Sequence, residues 1–163
     1  MDETVLRSMA KWPDVPDVYG WLSLDRRGNW LLQGQRIANQ ALREFIGRNY
    51  QPDAQGRWYF QNGPQRVFVN LAYTPLVARH DGDALLDHCD RGFTSVETFM
   101  DDEGSVLLRG KSGIALLDDR DLERYADRAA SFPKVQRHEV PKRFGYVADP
   151  APEGGSTPHY QTS

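Results

Sequence analysis

Cysteine is almost absent: Cys89 is the only one in 163 residues. No internal disulfide can form, so packing must hold the fold, and a reducing compartment suits the chain. Long apolar runs are missing too; none approaches the roughly 18 residues that a membrane-spanning helix requires. The start, "MDETVLRSMAKWPDVPD", carries acids and a proline pair where a secretory signal has a basic end and an apolar stretch. A cytoplasmic protein with no membrane attachment is therefore expected. Nor is there an excess of basic charge. The net charge is -3, whereas a domain built to bind nucleic acid is usually basic as a whole.

What remains is an ordinary globular composition, 39% hydrophobic and 26% charged. A chain of this length makes about one domain and can bury about 70% of the surface its unfolded form exposes. The charge is unevenly spread. Residues 24–80 hold eight Arg/Lys against three Asp/Glu, and residues 81–127 hold five against thirteen. Two lobes of opposite sign that attract each other account for this pattern.

A recurring phrase organises the chain. "LDRRGNWLLQG" (24–34), "PDAQGRWYFQNG" (52–63) and "MDDEGSVLLRG" (100–110) each place Gly three residues after Asp. An Asp carboxylate bonds the backbone two residues on, and Gly supplies the positive φ that a tight turn needs. Asp25/Gly28, Asp53/Gly56 and Asp101/Gly104 are thus expected to close antiparallel β-hairpins.

Helices should follow the first and third hairpins. Ala38, Ala41, Leu42, Phe45 and Ile46 form one apolar stripe, and Leu122, Tyr125, Ala126, Ala129 and Ala130 repeat its spacing. Asn39 and Asp118 are the expected N-caps, and Gly47 is placed to end the first helix. "KSGIALLD" (111–118) reads as an added strand. "RVFVNLAY" alternates with both faces largely apolar, as in a central strand. The predicted class is α+β, antiparallel hairpins with two helices, with a hairpin-helix unit duplicated so that 21–47 matches 97–130. The predicted organisation is an arm over 1–18, one domain over 19–132 made of repeats 19–80 and 81–132, and an irregular Pro/Gly-rich tail over 133–163 that wraps the surface to about Val147 and is disordered beyond.

"GWLSLDRRGNWLLQG", "GRWYFQNGPQRVFVNL" and "LLDDRDL" resemble a family of small proteobacterial proteins known only as a domain of unknown function. More weakly, the pattern is similar to a second uncharacterised bacterial family with a duplicated α/β-roll-like fold, for which a signalling or ligand-sensing role has been suggested. The resemblance covers roughly residues 19–147 and implies the duplicated architecture. It implies no activity, cofactor or catalytic residue.

Several motifs invite chemistry and fall short. "GSVLLRGKS" has five residues between Gly and Gly-Lys-Ser where a phosphate loop has four, and its interior reads as a strand. "HDGDALLDHC" (80–89) gathers metal-ligand types, but a second cysteine is lacking, so a polar loop between the halves is expected there and no metal. "DDEG" and "DDRD" read as turn and helix-cap acids. No catalytic constellation or cofactor motif stands out.

The stretch "DAQGRWYFQNGPQRVFVNL" is denser. Trp58 offers an apolar wall, while Gln61, Asn62, Gln65 and Arg66 supply amides and a guanidinium around a Gly63–Pro64 turn. These five residues are the candidate ligand-binding set. A non-enzymatic binding or regulatory module follows, its partner a small polar ligand or a protein. The alternatives are an enzyme assembled from distant residues, with His80, Asp101 and Arg66 as first suspects, and single-stranded nucleic-acid binding by Trp30, Tyr50, Trp58 and Tyr59 beside Arg26, Arg27, Arg48 and Arg57. Exposure of Trp30 and Trp58 decides the last.

Overall fold

Asp25, Asp53 and Asp101 make the same turn three times. Each Oδ1 accepts the N–H groups two and four residues on: Arg27 and Asn29 at 2.9 and 2.8 Å, Gln55 and Arg57 at 2.9 Å, Glu103 and Ser105 at 2.9 and 2.8 Å. Gly28, Gly56 and Gly104 follow with φ of 83°, 81° and 83°, which is where a residue with Cβ is strained. A fourth copy lacks glycine. Asp87 Oδ1 accepts from the N–H of Cys89 and Arg91, and Asp90 takes the left-handed position at φ 63°, which Asp tolerates better than most residues.

The computed structural model describes residues 13–152. In chain order it contains β1 (Asp17–Leu24), β2 (Trp30–Leu32), β3 (Gln35–Arg36), α1 (Gln40–Arg48), β4 (Tyr50–Pro52), β5 (Trp58–Asn62), β6 (Gln65–Leu71), β7 (Leu76–Asp81), β8 (Ala84–Asp87), β9 (Glu97–Asp101), β10 (Val106–Gly110), β11 (Gly113–Leu117), a 3-10 segment (Asp119–Ser131), β12 (Lys134–Val135), a 3-10 turn (Arg137–Glu139) and α2 (Val140–Phe144). The protein is α+β. Its three expected hairpins are present as β1–β2, β4–β5 and β9–β10.

The strands form two six-stranded sheets, ordered β3-β2-β1-β6-β5-β4 and β12-β9-β10-β11-β7-β8. Each is built the same way. In each, an early strand pairs in parallel with a later one, β1 with β6 and β7 with β11, and antiparallel strands extend outward on both sides; in the second sheet β12 is added in parallel at the edge beside β9. The similarity of the sheets points to duplication. The corresponding elements, however, are not 21–47 and 97–130. Strand order matches β1–β2 with β7–β8 and β4–β5–β6 with β9–β10–β11, so the turn at Gly56, not that at Gly28, answers the turn at Gly104. The two helical segments occupy different places in the halves, one before the meander β4–β6 and one after β11.

Four further expectations change. Residues 80–89 are mostly the β7–β8 hairpin rather than a loop. Gly47 lies inside α1, whose C-cap is Asn49; a Cβ at Gly47 would lie 3.3 Å from Cys89 Cβ, so closeness of packing explains the glycine. The second helix is a 3-10 run in which Tyr125 is buried and Leu122 packs against the core, while Ala126 and Ala130 of the expected stripe stay exposed. The tail is not irregular: β12 and α2 lie within it, and Val147 N–H bonds Gly56 O at 2.9 Å while Ala148 O accepts Leu71 N–H at 2.8 Å. Disorder is expected beyond about Val147; Ala148 is instead bonded to Leu71, and residues 153–163 lie outside the described residues, as do residues 1–12 of the arm.

Asn39 and Asp118 cap as expected, accepting from Leu42 and Arg120 N–H. β6 is central, with Val67, Phe68 and Val69 all fully buried. One apolar core joins both sheets and takes in Trp30, Tyr50 and Trp58.

Candidate functional site

The five residues singled out in the sequence sit together only in part. Trp58 is 6% exposed and packs on Tyr50 in the core. Gln61 Nε2 donates to Gly63 O and Gln65 O, and Asn62 Nδ2 donates to Gln65 Oε1. Gln65 Nε2 donates at 2.7 Å to the carbonyls of both Pro13 and Val15. Arg66 pairs with Asp17 at 3.2 Å and lies over the Tyr59 and Phe68 rings. The donors of this turn are occupied by the turn itself and by the arriving N-terminal arm.

The three enzyme suspects are held apart. His80 and Asp101 lie on β7 and β9, separated by β10 and β11, and Arg66 belongs to the other sheet. His80 Nε2 meets Tyr125 Oη at 2.8 Å, and burial lowers its pKa. Asp101 is the turn acid and also accepts from Tyr73 Oη. Trp30 and Tyr50 are 2% and 1% exposed, so with Trp58 they give bases no ring face to stack on.

A cavity of about 520 Å³ lies where the halves meet. Arg27 enters it from the first Asp turn, Arg43 and Arg48 from α1, Arg79 from β7, His88 from the glycine-less fourth turn, and Arg120 from the 3-10 segment. Local chemistry places each of them. The 25–28 turn presses on the 87–90 turn so closely that a Cβ at Gly28 would lie 2.6 Å from His88 Cβ. His88 in turn packs against Trp30 and Tyr50, ring centroids 5.1 and 5.5 Å away. Arg91 reaches back from the second half to Gly47 O at 2.6 Å, and so offsets the negative end of α1 beside the cleft.

The electrostatics are lopsided. Arg27 pairs with Asp119, Arg79 with Asp90 and Arg120 with Asp118. Arg43 and Arg48 have no acid partner among the described residues, and Arg43 Nε is shut from solvent without a hydrogen bond. The one lining acid outside these pairs, Glu44, accepts from Gln40. Val77 N–H donates to His88 Nδ1 at 3.2 Å, which fixes a neutral ring with its proton on Nε2. That Nε2–H is buried and also lacks a partner among the described residues. Burial first, then Arg91 and Arg79, push the His88 pKa down to about 3. Cys89 is pushed up to about 12 by burial, so it is a thiol and not a nucleophilic thiolate. Among the described residues no His, Cys, Asp and Glu side chains gather into a metal set, and no helix is long and apolar enough to cross a membrane.

Sequence reasoning gave Arg43, Arg79 and Arg120 no role in a site, and weighed His88 only within the metal-type cluster of residues 80–89. The available signal was the arginine excess of residues 24–80; what was not available was the fold that gathers them.

Residues 1–151 match the model of a family described as "Protein of unknown function (DUF2946)". The chain belongs to that family. No curated protein matches it. Among solved structures it is similar to a DUF1285 family protein from Silicibacter pomeroyi DSS-3, with TM-score 0.54 and 16% identity over 78% of this chain and 85% of that one. A DUF1285 family protein from Shewanella baltica OS155 gives TM-score 0.51 and 12% identity over 66% and 91%. At such identity the likeness is one of fold alone, and it matches the weak similarity to a second uncharacterised family read from the sequence.

Proposed function

We propose that this protein is a cytoplasmic, non-enzymatic binding module that takes a small anion in the cleft between its halves. The observation that carries this reading is the pair of guanidinium groups, Arg43 and Arg48, left without an acid partner among the described residues in a cavity that three further arginines line. A guanidinium satisfies a carboxylate or phosphate through two parallel N–H bonds, and the neutral His88 Nε2–H adds a donor without adding charge. A ligand held between α1 and the fourth Asp turn touches both halves, as a regulatory module requires. In the same reading Gln65 and Arg66 fasten the arm and do not contact ligand.

Thermal melts with inorganic phosphate and with succinate, each against sodium chloride at matched ionic strength, test the proposal. A specific anion raises the melting temperature with concentration, by the equivalent of about 2.7 kcal/mol at a hundredfold excess over Kd, and Arg43→Ala abolishes the rise. Equal responses to chloride, or an unchanged response in Arg43→Ala, would overturn it.

A further inference from the structure

We infer a second pocket, on the outer face of the first sheet, that binds an amide group. It arises from an irregularity in β1. Val18 pairs with Val67 and Leu22 with Val69, so residues 19–21 of β1 stand opposite Phe68 alone. The chain accommodates them at Gly20, which is exposed and has φ 78°. Bulges of this kind re-aim side chains and recur beside binding sites. Here the bulge opens a cavity of about 220 Å³ lined by Gly20, Trp21, Ser23, Gln33, Gly34 and Asn70.

Two polar atoms of its lining residues have no partner among the described residues: Trp21 Nε1 and Asn70 Oδ1 are both closed to solvent and make no hydrogen bond there. Their polarities are opposite, since an indole N–H only donates and an amide oxygen only accepts. Buried polar groups in folded proteins are nearly always paired, so each orphan calls for an explanation. A ligand that satisfies both must offer an acceptor and a donor side by side, and a carboxamide or peptide amide does so. A carboxylate could accept from Trp21 but could not donate to Asn70. The ligand class therefore differs from that of the arginine cleft. Reaching the two atoms takes a small rotation of the Trp21 and Asn70 side chains, both of which belong to residues that line the cavity.

The test uses the whole protein and N-methylacetamide, followed by the indole N–H resonances in a nitrogen–proton correlation spectrum. Trp21→Phe identifies the Trp21 signal. The expected result is a saturable shift of that signal, roughly tenfold weaker with N,N-dimethylacetamide, which lacks the donor, and unchanged in Arg43→Ala. Absence of a saturable shift, or equal shifts with the two amides, overturns the proposal, and both readings come from the unmutated chain. Asn70→Leu supplies the complementary variant: where it folds, the two amides should lose their difference, and a retained difference counts against Asn70 as the acceptor. Failure of the anion experiment leaves this one untouched, because no residue is shared.

Discussion

The turn at residues 61–66 and the cleft along α1 carry the same kinds of side chain and differ in how those side chains are engaged. In the turn every amide and the guanidinium of Arg66 already has a partner: a neighbour in the turn, a carbonyl of the arm, or Asp17. In the cleft, Arg43, Arg48 and the His88 Nε2–H have none among the described residues. Density of polar residues in a sequence marks places where hydrogen bonds are made. Donors left over after folding mark where a ligand is wanted.

That contrast breaks first at the glycines. Gly28→Ala, at the cleft, should cost about 3 kcal/mol, because the new Cβ combines a left-handed backbone with a clash on His88. Gly63→Ala, in the polar turn, has φ 56° but open space around it, and should cost about 1 kcal/mol. Equal losses in urea unfolding would mean that the cleft turns are not pressed together as described.

Acid separates the regions next. The His88 pKa is depressed on folding to about 3, so below its ordinary value near 6.5 the unfolded chain binds a proton that the folded chain does not. Its contribution is therefore complete above pH 6.5 and is lost as pH falls toward 3, by about 2 kcal/mol between pH 6.5 and 5. Urea unfolding at those two pH values should show that loss in the wild type and much less of it in His88→Gln. An identical loss in the variant would place the acid sensitivity elsewhere.

Gln65→Ala removes two hydrogen bonds to the arm and should cost about 1–2 kcal/mol. Arg66→Ala should cost about 1 kcal/mol or less, since its ion pair with Asp17 is well exposed. Both should leave the anion response intact, and loss of that response in either would restore the 61–66 turn as the binding surface. Smallest of all is Arg43→Ala without ligand, expected within about 0.5 kcal/mol of wild type. A larger loss in the melt would make Arg43 a scaffold residue.

What the sequence disclosed follows the range of the interactions. The Asp-x-x-Gly turns were legible because their bonds run between residues two to four apart, and the same chemistry hid its fourth copy once Asp90 stood for glycine. The first helix was legible from its 3.6-residue stripe; the second carries the same stripe in sequence yet winds as a 3-10 run, with Tyr125 buried and held to His80 of β7. The parallel pairs β1–β6 and β7–β11 leave no local trace, and they decide which elements correspond. Trp30 and Trp58 read alike as core or as surface, because a strand shows its alternation but not which side the other sheet covers. The cleft was least legible, since its arginines come from four separate elements and their leftover donors are known only after every other partner is placed.

The clasp made by Val147 and Ala148 has a consequence for how the chain is made. When Leu71 leaves the ribosome every strand of the first sheet has been synthesised, yet Gly56 O and Leu71 N–H still lack the residues that bond them. At translation rates of about 5–20 residues per second the wait is on the order of seconds. The older half is thus left unfinished until the younger half is complete, and a ribosome stalled before residue 140 should hold a first sheet that protease cuts, where the released protein resists.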